Sequence, residues 1–262
     1  MLELKDIPDS EYFTIGSVNI QNGKELVLSA SLIKEIYGRG LYETIIEKQE
    51  YSDELLATFE LGTMLHSYIL EYEAFNESYY FGDFNTESKK KRVPYETETF
   101  IKAIRKKCKV KFPDLLDEVG AEIAIVGDID NIPVKCKMDK FIIKDGIAYI
   151  YDLKSTFHKM AKMKRNRDGV AWEIAKIINE LNYDLQMFFY KKLVEEWLHC
   201  QGLYIEVVTI LVFASTTDEE VRMIRLSEET LGNGEEKYNQ VIGDVKDFYD
   251  NGIKSVNREE LV

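Results

Sequence analysis

The chain has 262 residues, 45% of them hydrophobic, and a net charge of −13, which is enough for one well-buried core. Its longest apolar run, near 207–214, is too short to span a bilayer, and the acidic start MLELKDIPDSEYF lacks an apolar secretion segment. Cys108, Cys136 and Cys200 form an odd set without CxxC spacing, so a structural zinc or iron–sulfur site is excluded, and free thiols in the reducing cytoplasm are expected.

The charge is unevenly spread. Residues 1–80 carry fifteen Asp/Glu against five Lys/Arg, whereas Lys89–Lys111 carries ten Lys/Arg against Glu96 and Glu98 alone. Five more basic residues lie between His158 and Arg167 with no acid among them. An acidic body with two basic segments is compatible with holding a polyanion in one groove. No Pro/Gly/Ser-rich joint or internal repeat divides the chain. A single domain over 1–262 is expected, with a helical part to about residue 115 and a core sheet with a crossover helix from about 116 onward.

In chain order, Ser29 or Ser31 caps a short helix through Leu32–Ile36 that ends near Gly38–Gly40. A second helix is predicted from Asp53 to Glu71, capped by Ser52, with Leu55, Phe59, Leu65 and Ile69 as its apolar stripe. Gly62 lies inside it at a cost near 1 kcal/mol relative to Ala. His66 follows one turn later, where the missing side chain would let another backbone or a ligand approach the imidazole. A neutral histidine packed under a loop is the plainer reading. Residues 78–93 read as an exposed loop ending in KKKR, and Tyr95–Cys108 as a helix after Pro94. Three strands follow at about 121–129, 133–143 and 147–154, with Asn131 and Pro133 at the first turn. Residues 157–169 read as a basic loop, and Val170–His199 as a helical region broken near Asn182. Within that region Tyr183, Gln186 and Tyr190 form a polar-aromatic stripe beside the apolar face. Strands at 203–214 and 220–226 and an acidic helix at about 228–250 close the chain. That order is α/β, with a mixed central β-sheet flanked by helices.

The chemistry concentrates in 134–154, VKCKMDKFIIKDGIAYIYDLK. Asp145-Gly146 is a strong two-residue hairpin signal, because a type I′ turn needs positive φ at both positions. With those two in the loop, paired numbers sum to 291. Asp139 then lies opposite Asp152 and Lys137 opposite Lys154, all on one face. Facing carboxylates destabilise a sheet unless a cation separates them, and hard divalent cations take such oxygen ligands. A solvated strand face of mixed charge is the alternative. Glu122 near the start of the first strand reads equally as an edge charge.

The ordered set Gly62-x-x-x-His66, Glu122, Met138-Asp139, Asp152-Leu153-Lys154 and Tyr183-x-x-Gln186-x-x-x-Tyr190 resembles the PD-(D/E)xK nuclease superfamily. More narrowly, it resembles the RecB-type branch and its RecE (exodeoxyribonuclease VIII-like) phage recombination exonucleases, as LGTMLHSYILEYEAF also does. The likeness runs from about Leu61 to Tyr190. Asp152 stands where many members have Glu.

The resemblance implies a restriction-endonuclease-like core and a Mg²⁺-dependent exonuclease, with Mn²⁺ able to substitute. Asp139, Asp152, the Leu153 carbonyl and His66 would hold the metal. Lys154 would orient or help deprotonate the attacking water and stabilise phosphate charge. Gln186 would steady the site, Tyr190 would support it or touch DNA, and Glu122 is the loosest match. The implied partners are double-stranded DNA, a single-strand annealing protein and further copies of the chain in a ring of three or four. A single-strand- or structure-specific nuclease of the same superfamily is the alternative enzyme. A non-catalytic nucleic-acid-binding subunit with the same fold is the alternative of another class.

Overall fold

A computed structural model describes residues 2–15, 26–46, 51–83, 89–160 and 172–251. In chain order the elements are β1 (Glu3–Asp6), α1 (Asp9–Tyr12), α2 (Ala30–Arg39), α3 (Leu41–Ile46), α4 (Asp53–Leu70), α5 (Tyr72–Ser78), β2 (Tyr79–Tyr80), β3 (Lys91–Arg92) and α6 (Tyr95–Lys111). They continue with β4 (Ala121–Ile129), β5 (Ile132–Lys144), β6 (Ile147–Thr156), α7 (Trp172–Glu180), α8 (Tyr183–Cys200), β7 (Glu206–Ser215), β8 (Val221–Arg225) and α9 (Glu228–Asn251). Six strands make one sheet in the order β1-β4-β5-β6-β7-β8. Only β6–β7 is parallel, because α7 and α8 carry the chain across between them. The sheet is mixed and flanked by helices, as the element order predicts.

The two hairpins at the centre follow from their turn residues. Asp130-Asn131 and Asp145-Gly146 all take positive φ, between 52° and 76°, as a type I′ turn requires. The second hairpin has the predicted register, from Lys144↔Ile147 to Lys140↔Tyr151. Its ladder stops there, one position before Asp139 and Asp152.

Two apolar clusters sandwich the sheet. On one side Ile33 and Ile36 of α2, Leu185, Phe189 and Leu193 of α8, and Val241 and Val245 of α9 cover Ala148, Ile150, Leu211 and Phe213. On the other, Leu65 and Ile69 of α4 and Ile101 and Ile104 of α6 cover Tyr151, Leu153, Val212 and Ala214. Strand alternation thus assigns odd and even positions of β6 to opposite helical layers.

Ser29 and Ser52 cap α2 and α4 by accepting from Leu32 and Leu55 amides. Asn182 breaks the long helical region in a left-handed conformation, as predicted. The loop expected at 78–93 instead contains a short parallel ladder, Tyr79↔Lys91 and Tyr80↔Arg92, supported by Arg92 donating to the Gly82 carbonyl. The expected apolar stripe of α4 is buried only in its second half. Leu55 and Phe59, in the first half, are 39% and 49% exposed. Among the described residues no helix is long and apolar enough to cross a membrane. Most of the predicted basic loop, 161–169, lies outside the described residues, as do the first two residues, 170–171, of the predicted helix.

Candidate active site

The site forms where the sheet departs from regular pairing. In β4 and β5 paired numbers sum to 261, so Glu122 belongs opposite Asp139, yet the ladder passes from Ala121↔Lys140 to Ile123↔Met138 without them. Glu122 has φ 51°, a left-handed value that costs a non-glycine residue on the order of 1 kcal/mol. This inverts the alternation. Ala121 packs with the α4–α6 layer, whereas Ile123, two residues on, packs with the opposite one. Asp139 does not return to the ladder either, because its Oδ2 accepts from the Leu153 amide at 2.6 Å. Glu122, Asp139 and Asp152 therefore form a row of acids across three neighbouring strands.

Helix α4 supplies the imidazole above this row. Nε2 of His66 lies 2.7 Å from the Leu153 carbonyl, which can only accept, so Nε2 carries the proton and Nδ1 keeps its lone pair. Nδ1 faces Asp139 Oδ2 at 3.5 Å. Ligand atoms of His66, Glu122 and Asp139 all lie within 4.8 Å of one another. Burial and the Lys154 charge lower the His66 pKa, keeping the ring neutral. Burial, then the Asp139 charge, pushes Glu122 up to about 7. Burial and the Asp152 charge likewise hold Asp139 well above the usual carboxylate range. Among the described residues a Cβ at Gly62 would meet nothing within 4 Å, so, of the expected backbone or ligand approach, the backbone one is not seen there.

The expectation that Asp139 and Asp152 share one face is not met, because regular pairing ends at Lys140↔Tyr151. Asp139 lies with His66 of α4, whereas Asp152 faces the other layer. Its Oδ1 accepts from Gln186 Nε2 at 2.8 Å. Its Oδ2 pairs with the Lys154 ammonium at 2.7 Å, and no other donor reaches it among the described residues. Burial alone would lower the Lys154 pKa; the Asp152 and Asp139 carboxylates outweigh it and raise it, so the ammonium is retained. Gln186 Nε2 also donates to the Tyr190 hydroxyl at 3.0 Å, which donates to the Lys137 carbonyl at 3.1 Å. Lys137 itself pairs with Glu122 at 3.2 Å.

All the residues singled out from the sequence thus converge. His66, Glu122 and Asp139 form one group with metal-ligand spacing. Asp152, Lys154, Gln186 and Tyr190 form a second, joined to the first through Leu153. The Leu153 carbonyl, implied as a metal ligand, holds one hydrogen bond from His66. One residue of the site, Lys34, was not foreseen, and Tyr183, named in the motif, had been given no role of its own. Lys34 of α2 donates to Gln186 Oε1 at 2.9 Å, and its ammonium lies 5.4 Å from the centroid of the Tyr183 ring, which Lys154 also overlies at 5.0 Å. No spacing signal marks Lys34; Tyr183 was visible as a stripe member without a role.

The basic segment Lys89–Lys111 is largely engaged within the protein. Lys91 pairs with Glu60, Lys102 with Glu98, and Lys107 and Lys111 with Glu220. Arg105 donates to the Tyr68 carbonyl at the end of α4. Lys106 and Lys109 have no ion pair among the described residues.

The donor set suits a hard divalent cation. It offers carboxylate oxygens and a neutral imidazole, and two acceptors face each other at 3.5 Å. That pair is unfavourable without a cation or a proton to bridge it.

A sequence profile described as a PDDEXK-like domain of unknown function (DUF3799) matches residues 29–260. No curated protein matches by sequence. A crystal structure from Eubacterium rectale, of a protein provisionally described as an exonuclease, superposes with TM-score 0.61 at 14% identity, covering 95% of this chain and 89% of that one. At that identity the likeness is one of fold. A phage-related exonuclease from Haemophilus somnus aligns over 88% of this chain and 99% of that one, with TM-score 0.35 and 12% identity. With nearly its whole length matched by the family profile, the chain belongs to the PDDEXK-like family DUF3799 and has the fold of the PD-(D/E)xK nucleases.

Proposed function

We propose that the protein is a divalent-metal-dependent exonuclease that hydrolyses phosphodiester bonds of linear double-stranded DNA, in phage-type recombination or repair. One observation carries this reading. The sheet gives up regular pairing at the position where Glu122 and Asp139 gather beneath His66, with Asp152 and Lys154 adjoining on the next strand. A structure without use for that row would gain stability by replacing it with apolar residues.

His66, Asp139 and Glu122, with Asp152 across the strand, would hold Mg²⁺ or Mn²⁺, which when bound supplies Lewis acidity and a more acidic water. Lys154 keeps its proton beside two carboxylates, which favours a role in stabilising charge on the phosphate over one as a base. Neutral His66, tied to the Leu153 carbonyl, fixes the strand amide that in turn orients Asp139. Gln186 and Tyr190 hold Asp152 and the β5 backbone in one network.

Double-stranded DNA is the proposed partner, held by its phosphates. With most of Lys89–Lys111 engaged in internal pairs, Lys106, Lys109 and the basic residues of 159–167 are the proposed phosphate contacts. A closed ring of three or four copies would tether the enzyme to duplex, and a single-strand annealing protein would receive the product strand. Light scattering reads the first, since a mass of one chain would rule the ring out.

The test is digestion of end-labelled blunt duplex, flap and single-stranded DNA with Mg²⁺, with Mn²⁺ and with EDTA. Preferred loss of duplex, dependent on metal, is expected. Preference for flaps or single strands would favour the alternative nuclease, and full activity in EDTA would contradict the proposal.

A further inference from the structure

Lys34 is a cation placed among apolar neighbours, with a partner that is neutral. Its helix α2 buries Leu32, Ile33 and Ile36 on either side of it. Burial, then the Lys154 charge, pushes its pKa down to about 8, against a smaller upward pull from Asp152. An apolar residue there would join the surrounding core without that penalty. The ammonium instead donates to Gln186 Oε1 at 2.9 Å.

We infer that Lys34 is a positioning residue that sets the Gln186 amide and, through it, the Asp152 carboxylate. The Lys34 ammonium can only donate, so the amide between it and Asp152 Oδ1 fits one way round. Its oxygen meets Lys34, and its nitrogen serves Asp152 Oδ1 at 2.8 Å and the Tyr190 hydroxyl at 3.0 Å. The Tyr190 proton then points to the Lys137 carbonyl, on the strand that carries Asp139. Helix α2 is anchored to that same strand. The Leu28 amide donates to the Pro133 carbonyl and the Lys135 amide to the Leu28 carbonyl, both at 2.8 Å, and Ser29 caps the helix. One end of the network thus fixes Asp152 relative to β5, which a carboxylate shared with a metal needs.

This inference rests on the metal-nuclease reading, and the experiment separates the two. Wild type, Lys34→Met and Lys34→Arg are titrated with Mn²⁺ by calorimetry without DNA, melted in EDTA, and assayed for kcat and KM on linear duplex. Wild type should bind Mn²⁺. Lys34→Met should keep a native melt and an unchanged KM while losing roughly 10-fold in Mn²⁺ affinity or kcat, as removal of groups behind metal ligands does. Lys34→Arg, which still donates, should recover most of the loss. Should Lys34→Met fail to fold, Lys34→Gln, polar but uncharged, takes its place in the same comparison. Mn²⁺ affinity and kcat equal to wild type would overturn the inference alone. A raised KM with unchanged Mn²⁺ affinity and kcat would also overturn it, placing Lys34 on the substrate. A wild type that neither binds Mn²⁺ nor cleaves would overturn the nuclease reading, and this inference with it.

Discussion

His66 turns its Nδ1 lone pair toward Asp139 Oδ2 at 3.5 Å because its Nε2–H is engaged by the Leu153 carbonyl at 2.7 Å. Two acceptors held face to face make metal binding a competition with protons. Without metal, Glu122 keeps its proton up to about pH 7 rather than 4.5, and Asp139 is shifted the same way. Mn²⁺ binding should therefore release protons, and affinity should rise from pH 5 to pH 8. The metal-free native state binds more protons than the unfolded chain across that range, so its stability should fall as pH rises from about 4.5 toward 7. Calorimetry in two buffers of different ionisation enthalpy, with melts in EDTA, checks both signs.

Glu122→Gln should separate stability from metal affinity. The amide resembles the protonated acid that the folded protein favours. At pH 8 it should stabilise the metal-free protein by on the order of 1–3 kcal/mol. Mn²⁺ affinity should fall at the same time. A melt in EDTA paired with a titration reads the two effects.

Asp152→Ala should abolish cleavage while leaving DNA binding largely intact, since it removes a proposed metal ligand and none of the proposed phosphate contacts. Lys154→Met should lower kcat by about 10²–10³-fold, the usual loss when a charge-stabilising donor is removed. Gel shifts beside cleavage assays distinguish lost chemistry from lost binding.

Gly234→Ala tests how α8 is held. In an open helix this change stabilises by about 1 kcal/mol. Here the new Cβ would lie 2.3 Å from the Asp184 carbonyl oxygen, two residues from Gln186. Overpacking against backbone should dominate, destabilising by about 1–3 kcal/mol. Thermal unfolding gives the sign.

The hairpin was legible from its residues because Asp145-Gly146 fixes a turn and the turn fixes a register. The pairing sum of 291 holds at every laddered position from Lys144 back to Lys140. What local pattern could not reveal is where the ladder stops, since Asp139 leaves it for an amide on β6 while His66 arrives from a helix some seventy residues earlier. The left-handed backbone of Glu122 was equally hidden, because alternation presumes regular φ. Lys34 sits in ASLIKEIYGR, an ordinary amphipathic helix; only docking against α8 makes its ammonium part of the site. The basic run at 89–111 read as a polyanion surface because Glu60 and Glu220, its partners, are distant in sequence.

The central claim is a metal-dependent exonuclease acting from a DNA end. Its most direct measurement compares linear and covalently closed circular duplex of the same sequence, with Mg²⁺, for wild type and Asp139→Asn. Wild type should consume the linear form and leave the closed circle intact, and Asp139→Asn should consume neither. Nicking of the closed circle, or linear DNA digested equally by both proteins, would contradict the account.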